Sequence, residues 1–327
     1  MVDYLPCPVP AMLEPFLLTP PLQRLKAVGM NCGCEYTSFP RFVNLPPYTR
    51  YDHSLGVARI LWHFTADPAQ TLAGLLHDIA TPAFAHSVDF LHGDYLRQES
   101  TEEGTARLIA SSRELCALLE KEKLTPENVW DYHLYPIADN DSPRLSADRL
   151  EYTLGNGVNY GFCTPKQASR LLESLDIGTN EEGNPELCFR GLAEAEQFGL
   201  LSLRCSRVYA SREDRYAMQR LSELLGDAIA RGILEEKDLY TTEPQVIEKL
   251  QQDPLSGLAW QGFRQMSRLT LSPQPEGPGE WRQVFAKKRV IDPLVSGKGR
   301  LGTLSQGYRE EKALFLSDSQ QEWMKGE

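Results

Sequence analysis

His53, the dipeptide His77-Asp78 and Asp148 are the residues of this chain whose types and spacing could do chemistry. Two imidazoles and two carboxylates make a mixed nitrogen and oxygen set. It suits Mn²⁺, Fe²⁺, Ni²⁺ or Zn²⁺ and, less comfortably, Mg²⁺, with positions left open for water. Each residue lies in a stretch with helical periodicity. Neighbours on a helix point about 100° apart, so His77 and Asp78 can reach one ion only from a helix edge or end. Pro82 interrupts the pattern shortly after them. His63 shares a side with His53 but lies roughly 15 Å along the axis, which makes it structural.

The elements that must position these groups are mostly helices. Six prolines fall in residues 1–21, too many for a regular helix, and predict an arm that wraps over the surface. "PLQRLKAVG" has apolar residues at helical spacing and ends at Gly29. "YDHSLGVARILWHFTA" and "PAQTLAGLLHDIA", separated by Pro68, predict a helical hairpin. "STEEGTARLIASSRELCALLEKE" reads as one further helix with acidic residues in its first turn. "SPRLSADRLEYTLGNG" opens with helix-start chemistry and leaves through Gly-Asn-Gly. Two long helices follow at about 193–210 and 213–234, then "TTEPQVIEKLQQ" with a Thr cap and an early Pro. After the loop "SPQPEGPGEW", "RQVFAKKRVIDPLV" and "KALFLS" read as strands. The fold class expected is mainly α, a helical bundle with a small α+β C-terminal appendage. Its parts are a proline-rich arm at 1–21, a helical body at 22–265 with the metal core at about 48–160, and an α+β lobe at 266–327.

Composition narrows the function. The chain has 327 residues, 41% of them hydrophobic, enough for a sizeable core. A net charge of −11 argues against an extended nucleic-acid face. No apolar run approaches the roughly 20 residues that span a bilayer, so no membrane partner is expected and the cytoplasm is the expected compartment. Seven irregularly spaced cysteines read as reduced thiols, and Cys32-Gly-Cys34 alone is too little for a metal motif.

"TRYDHSLGV", "LLHDIATPAFAH" and "SADRLEY" together resemble the H…HD…D signature of the HD superfamily of metal-dependent phosphohydrolases. Within it the likeness is to the deoxynucleoside triphosphate triphosphohydrolases, including the mammalian SAM-and-HD-domain enzyme and bacterial relatives. "PLQRLKAVG" resembles that family's "QRLR" helix, and "KKRVIDPLV" its K-x-R-x-[IV]-D-P-L segment. The resemblance implies an HD-domain helical bundle holding one divalent metal on His53, His77, Asp78 and Asp148, with Arg50 as a phosphate contact. In "DRLEY", Arg149 and Tyr152 fall where the family places phosphate-holding groups; Asp148 and Tyr152, four residues apart, share a helical face. His86 resembles the histidine closing the family's HD-x-G-H-x-P-x-x-H stretch, with Asp89 as the carboxylate that orients it. Glu102 falls in the H-E-x-x-S element, where it would position or protonate a leaving group. Tyr209 and Arg212 lie in a region where the family has substrate-facing groups. The relatives' symmetric dimers or larger assemblies imply a homo-oligomer.

The chain also departs from that pattern. Ala80 and Thr81 stand where the family has Gly-His, and Thr101 replaces the histidine of H-E-x-x-S. A threonine cannot serve as an acid near neutral pH. His92 and His133 are the histidines left to compensate, as acid or as ligands to a second metal. "KKR" at 287–289 reads as a solvated strand edge or as a contact to an allosteric nucleotide or a neighbouring subunit, and "SGKGRLG" lacks the spacing of a phosphate loop. The expected function is metal-dependent hydrolysis of a nucleotide or related phosphoester, with dNTP triphosphohydrolysis as its narrower form. Two alternatives stand beside it: a nucleotide- and metal-binding sensor or assembly module, and a di-iron oxygenase of the same fold.

Overall fold

The computed structural model describes residues 4–93, 104–277 and 279–327. The chain is mainly α-helical with two small sheets. Among the described residues no helix is long and apolar enough to cross a membrane.

The hairpin that carries the histidines is built from strong local signals. Thr49 and Asp52 form a reciprocal capping box that starts the helix Arg50–Thr65. That helix ends where Ala66 turns left-handed at φ 49°. Asp67 then caps the helix Pro68–Leu76, with Pro68 at its first position. The two helices touch closely because a Cβ at Gly74 would lie 2.3 Å from a Leu61 methyl. The helix Ala147–Asn159, capped by Ser146, lies against the first. A longer pair, Leu192–Tyr209 and Arg212–Ala230, completes the body.

The proline-rich segment does not merely wrap the surface. It forms short helical turns at Ala11–Leu13, Glu14–Leu17 and Pro20–Arg24, with prolines in first turns where the missing N–H costs nothing. Leu13 and Phe16 are fully buried in one apolar cluster with Ala73 and Leu76, and Tyr4 is buried in another.

Three further expectations are corrected. The helix read at 100–122 is broken in its described part: Thr105–Ser111 and Arg113–Lys121 are separate, because Ser112 turns extended and caps the second by accepting from the Leu115 N–H. "KALFLS" is not a strand but the end of the helix Gln306–Ser317. Its buried residues, Tyr308 and Phe315, are seven apart, two helical turns, while Leu314 and Leu316 are exposed. "RQVFAKKRVIDPLV" is extended but makes only a bridge from Arg282 to Met324 and the two-residue strand Leu294–Val295. Its backbone is satisfied elsewhere: Ala286 N–H donates to the Gln320 side chain at 2.9 Å and Asp292 N–H to the Pro143 carbonyl at 2.7 Å.

The four-stranded sheet ties the end of the chain to its middle, and the two-stranded sheet joins two late segments. Leu175–Thr179 and Pro185–Phe189 form a hairpin, with Leu175 opposite Phe189. Pro185–Phe189 pairs in parallel with Leu294–Val295, which pairs with Gly299–Arg300. Leu269–Ser272 pairs with Trp323–Gly326, beside which the buried Arg215 holds Glu322.

Candidate metal centre

His53 sits in the first turn of its helix, Asp148 in the first turn of its own, and His77 is the C-cap residue just beyond Leu76. The helix end gives adjacent His77 and Asp78 the freedom to face one region. Ligand atoms of His53, His77 and Asp148 all lie within 4.8 Å of one another. His53 Nε2 is 3.0 Å and His77 Nε2 3.6 Å from the same oxygen, Asp148 Oδ1.

The other nitrogen of each ring is already engaged. His53 Nδ1 lies 2.5 Å from Glu151 Oε2, and His77 Nδ1 lies 2.8 Å from the Gly74 carbonyl. Both rings thus donate at Nδ1 and present Nε2 to a common point, the arrangement of metal-ligating histidines with their supporting partners. Two Nε2 atoms and a carboxylate oxygen converging this way fit a divalent cation of the Mn, Fe, Ni or Zn type, with room for water.

The charges agree with that use. Burial alone would lower the basicity of His53, but its bonds to Asp148 and Glu151 outweigh it and raise its pKa to about 10. Burial pushes Asp148 up, yet His53, His77 and Arg149 hold it below the usual carboxylate range. A cation and a proton therefore compete for the same imidazole nitrogen.

Asp78 stands at the edge of this cluster, with Oδ2 3.6 Å from His77 Nε2. Both its oxygens have other partners: Arg50 donates to Oδ2 at 3.0 Å and the Thr81 hydroxyl to Oδ1 at 2.8 Å. Burial opposes its charge, but Arg50 and the two histidines keep its pKa far below the usual range. Thr81, which stands at a histidine position of the resembled pattern, serves here as a holder of the Asp78 carboxylate.

These groups line a cavity of about 630 Å³, whose wall also includes His86, Arg149, Tyr152 and Tyr209. His86 Nδ1 lies 2.8 Å from Asp89 Oδ2, and burial lowers the histidine's pKa. The turn before His86 is left-handed at Phe84 (φ 63°) and Ala85 (φ 44°), a conformation costly for residues with a Cβ. It is pinned by Ala83 N–H donating to the Leu239 carbonyl and Phe84 N–H to the Glu243 carboxylate. Arg149 pairs with Asp139 at 3.1 Å and donates to Asn140 at 2.8 Å.

Not every expected residue is in that wall. Arg212 holds Glu322 at 2.7 Å on the exposed side of its helix, and the residues turned inward beside it are Asp214 and Arg215. Among the described residues the cavity wall does not include Arg212, His63 or His92; His92 lies 3.7 Å from Glu236 instead. Glu102 lies outside the described residues. His133 does line the cavity, as do Lys287 and Arg289 of the "KKR" run. All seven cysteines are free. Cys32 faces the cavity, where burial pushes its thiol up to about 12, and it does not join the converging ligand atoms.

The main residue that sequence reasoning missed is Glu151. It is fully buried and accepts from three groups: Tyr4 OH at 2.6 Å, Tyr48 OH at 2.6 Å and the His53 ring. Two glycines make space for this hub. A Cβ at Gly56 would lie 2.5 Å from Glu151 Oε1, and one at Gly155 would lie 2.3 Å from the Tyr48 hydroxyl. The only available signal was a carboxylate three residues after Asp148, on the same helix face.

No family model matches the chain. Among curated proteins it is 27% identical over 246 residues to "Uncharacterized protein YdhJ" of Bacillus subtilis, covering 74% of this chain and 71% of that one. It is 25% identical over 300 residues to "Metal-dependent phosphohydrolase cns2" of Cordyceps militaris, covering 89% and 81%. Among solved structures, a phosphohydrolase from Bacteroides thetaiotaomicron superposes with TM-score 0.65 at 15% identity, over 98% of this chain and 96% of that one. A hypothetical protein from Aquifex aeolicus does so with TM-score 0.64 at 20% identity, over 97% and 92%. At these identities the structural likeness is one of fold.

Proposed function

We propose that this chain is a metal-dependent phosphohydrolase acting on a nucleotide or related small phosphoester. The observation that carries the reading is the convergence of His53 Nε2, His77 Nε2 and Asp148 Oδ1 in a cavity that also holds Arg50 and Arg149. The Cordyceps militaris relative, named a metal-dependent phosphohydrolase, supports it.

A divalent ion held by His53, His77 and Asp148, with Asp78 at its edge, would polarise a phosphoryl oxygen and acidify a bound water. Arg50 lines the cavity, and its guanidinium, which holds Asp78, supplies positive charge beside the ion's position for a phosphate oxygen. Arg149 and Tyr152 share the Asp148 helix and supply further donors to phosphate. His86, oriented by Asp89 and kept neutral by burial, takes a proton from the attacking water through Nε2.

Part of the remaining wall suits an organic group. Asn31, Asn156, Tyr160 and Tyr209 are neutral hydrogen-bonding side chains, and the volume falls within the range of small-molecule sites. Thr81 is committed to Asp78 and brings no imidazole to a polyphosphate. That favours a phosphomonoester over a triphosphate as substrate.

The purified chain with Mn²⁺, Zn²⁺, Ni²⁺ or Fe²⁺ should release phosphate, pyrophosphate or tripolyphosphate from some member of a nucleotide and sugar-phosphate panel. His77→Ala should lose metal and turnover together. If no member turns over with any metal and His77→Ala behaves as wild type, the reading fails.

A further inference from the structure

The cavity contains a second histidine–carboxylate set that the scheme above leaves unused. His133 lies in the 3-10 turn Tyr132–Leu134, and Asp131 caps that turn by accepting from the His133 backbone N–H at 3.0 Å. The same Asp131 oxygen lies 2.9 Å from His133 Nδ1, so one carboxylate fixes both the backbone and the ring. Nε2 is then directed to Asp139 Oδ2, at 3.4 Å. Asp139 is buried, and its other oxygen is held by Arg149 and the Ser146 hydroxyl, each at 3.1 Å. The turn is pressed against the metal end. Tyr132 stacks on His77 with ring centres 4.8 Å apart, and the His133 ring lies 4.5 Å from that of Tyr132.

Hydrolysis of a phosphoester moves two protons, one off the attacking water and one onto the departing oxygen. In an in-line displacement these events lie on opposite sides of phosphorus. Four of the chain's six histidines line the cavity. Two of them converge with Asp148, which leaves His86 and His133. Resting on the phosphohydrolase reading, we propose that His133, oriented by Asp131, is the acid that protonates the leaving oxygen of the substrate.

In that step the water oxygen bonds to phosphorus while its proton passes to His86. The bond from phosphorus to the leaving oxygen breaks with its electron pair on that oxygen, which takes the proton from His133 Nε2. Both imidazoles then exchange with solvent, which His133 meets directly, its side chain being 52% exposed. Asp131 and Asp139 are the charged groups facing His133, with Arg149 behind Asp139.

The test compares a nucleoside 5′-monophosphate, whose alkoxide needs a proton to leave, with p-nitrophenyl phosphate, whose phenolate does not. On the metal-loaded full chain, His133→Gln should lower kcat on the nucleotide about 10²–10⁴-fold while keeping the aryl ester within about tenfold. Metal content should be unchanged, and the fall of the nucleotide rate at high pH should disappear. Asp131→Asn keeps the ring but weakens the hold on its Nδ1 and on the turn, so kcat on the nucleotide should fall while the aryl ester rate holds. Equal losses on both esters, or no loss on either, overturn the proposal. If His133→Gln does not fold or loses metal, Asp131→Asn decides, and equal effects on the two esters overturn the proposal. A wild type that hydrolyses no member of the wider nucleotide and sugar-phosphate panel with any metal sinks the phosphohydrolase reading and this inference with it, whereas turnover of other members but of neither ester overturns this inference alone.

Discussion

Replacing Glu151 by glutamine tests whether the buried hub supports the metal centre or only the core. The wild-type carboxylate accepts from Tyr4, Tyr48 and the His53 ring at 2.6, 2.6 and 2.5 Å. A glutamine of the same shape keeps one accepting oxygen and turns an NH₂ toward the remaining donors. Its carbonyl can keep Tyr48 and His53 at the Oε2 position if the Tyr4 hydroxyl rotates to accept from the amide. What is lost in either orientation is the charge. Hydrogen bonds to charged groups contribute about 1.5–3 kcal/mol against about 0.5–1.5 for neutral ones, so each of three bonds weakens by roughly 1 kcal/mol. The metal-free chain should lose about 2–3 kcal/mol in urea unfolding. The more specific effect is on the ion. Removing a carboxylate behind a metal-ligating histidine lowers affinity about 10–100-fold, or about 1.4–2.8 kcal/mol. Chelator competition followed by metal analysis measures this directly. Wild-type metal affinity in a variant that is less stable without metal would refute the coupling and leave Glu151 as a core residue alone.

Thr81→Val should lower metal-free stability by about 1.5–3 kcal/mol, because the buried hydroxyl that donates to charged Asp78 is lost. A change below about 0.5 kcal/mol in urea unfolding would show that Arg50 holds Asp78 unaided. Stability without metal should fall as pH rises from the ordinary carboxylate range to about 8. Glu35, raised by burial and then by neighbouring Glu243, and Asp214, pushed up to about 8 by burial, both keep their protons in the fold and lose them sooner when unfolded. Their contribution is full below the unfolded value and is lost through the folded one. Urea midpoints from pH 5 to 8 in chelator should show this, with Glu35→Gln visibly flatter; superimposable curves would reject the assignment. Stripping the metal should lower Tm, and restoring it at 100 times its Kd should return about 2.7 kcal/mol. An unchanged Tm would mean that the folded chain does not bind the ion selectively.

The cluster of His53, His77 and Asp148 was legible because histidine and aspartate carry their chemistry in their type, and helical spacing says which of them can meet. Glu151 was not, because a glutamate on a helix ordinarily faces solvent. Only the folded chain shows Tyr4 and Tyr48 arriving beside it. Arg212 was misplaced for a related reason. The sequence shows a capped helix starting there, but not its rotation, which turns Asp214 and Arg215 inward and Arg212 out. "KALFLS" illustrates the limit of short apolar runs, since its alternation disguises a buried face that repeats every seven residues. The extended segment before Leu294 looked like a strand because β-branched and apolar residues favour extension. Its hydrogen bonds go to side chains and loops that no local pattern announces.

The strand pairing of Pro185–Phe189 with Leu294–Val295 brings Lys287 and Arg289 to a cavity whose converging ligands all lie between His53 and Asp148. During synthesis at about 5–20 residues per second, Arg289 is made roughly 7–28 s after Glu151. By then the ligand-bearing residues and the arm tyrosine that supports them have already left the ribosome's catalytic centre. The residues that would hold an ion are therefore all made before the residues of the opposite wall, so the two sides of the cavity are brought together late, by a strand pairing rather than by the helices that carry the histidines.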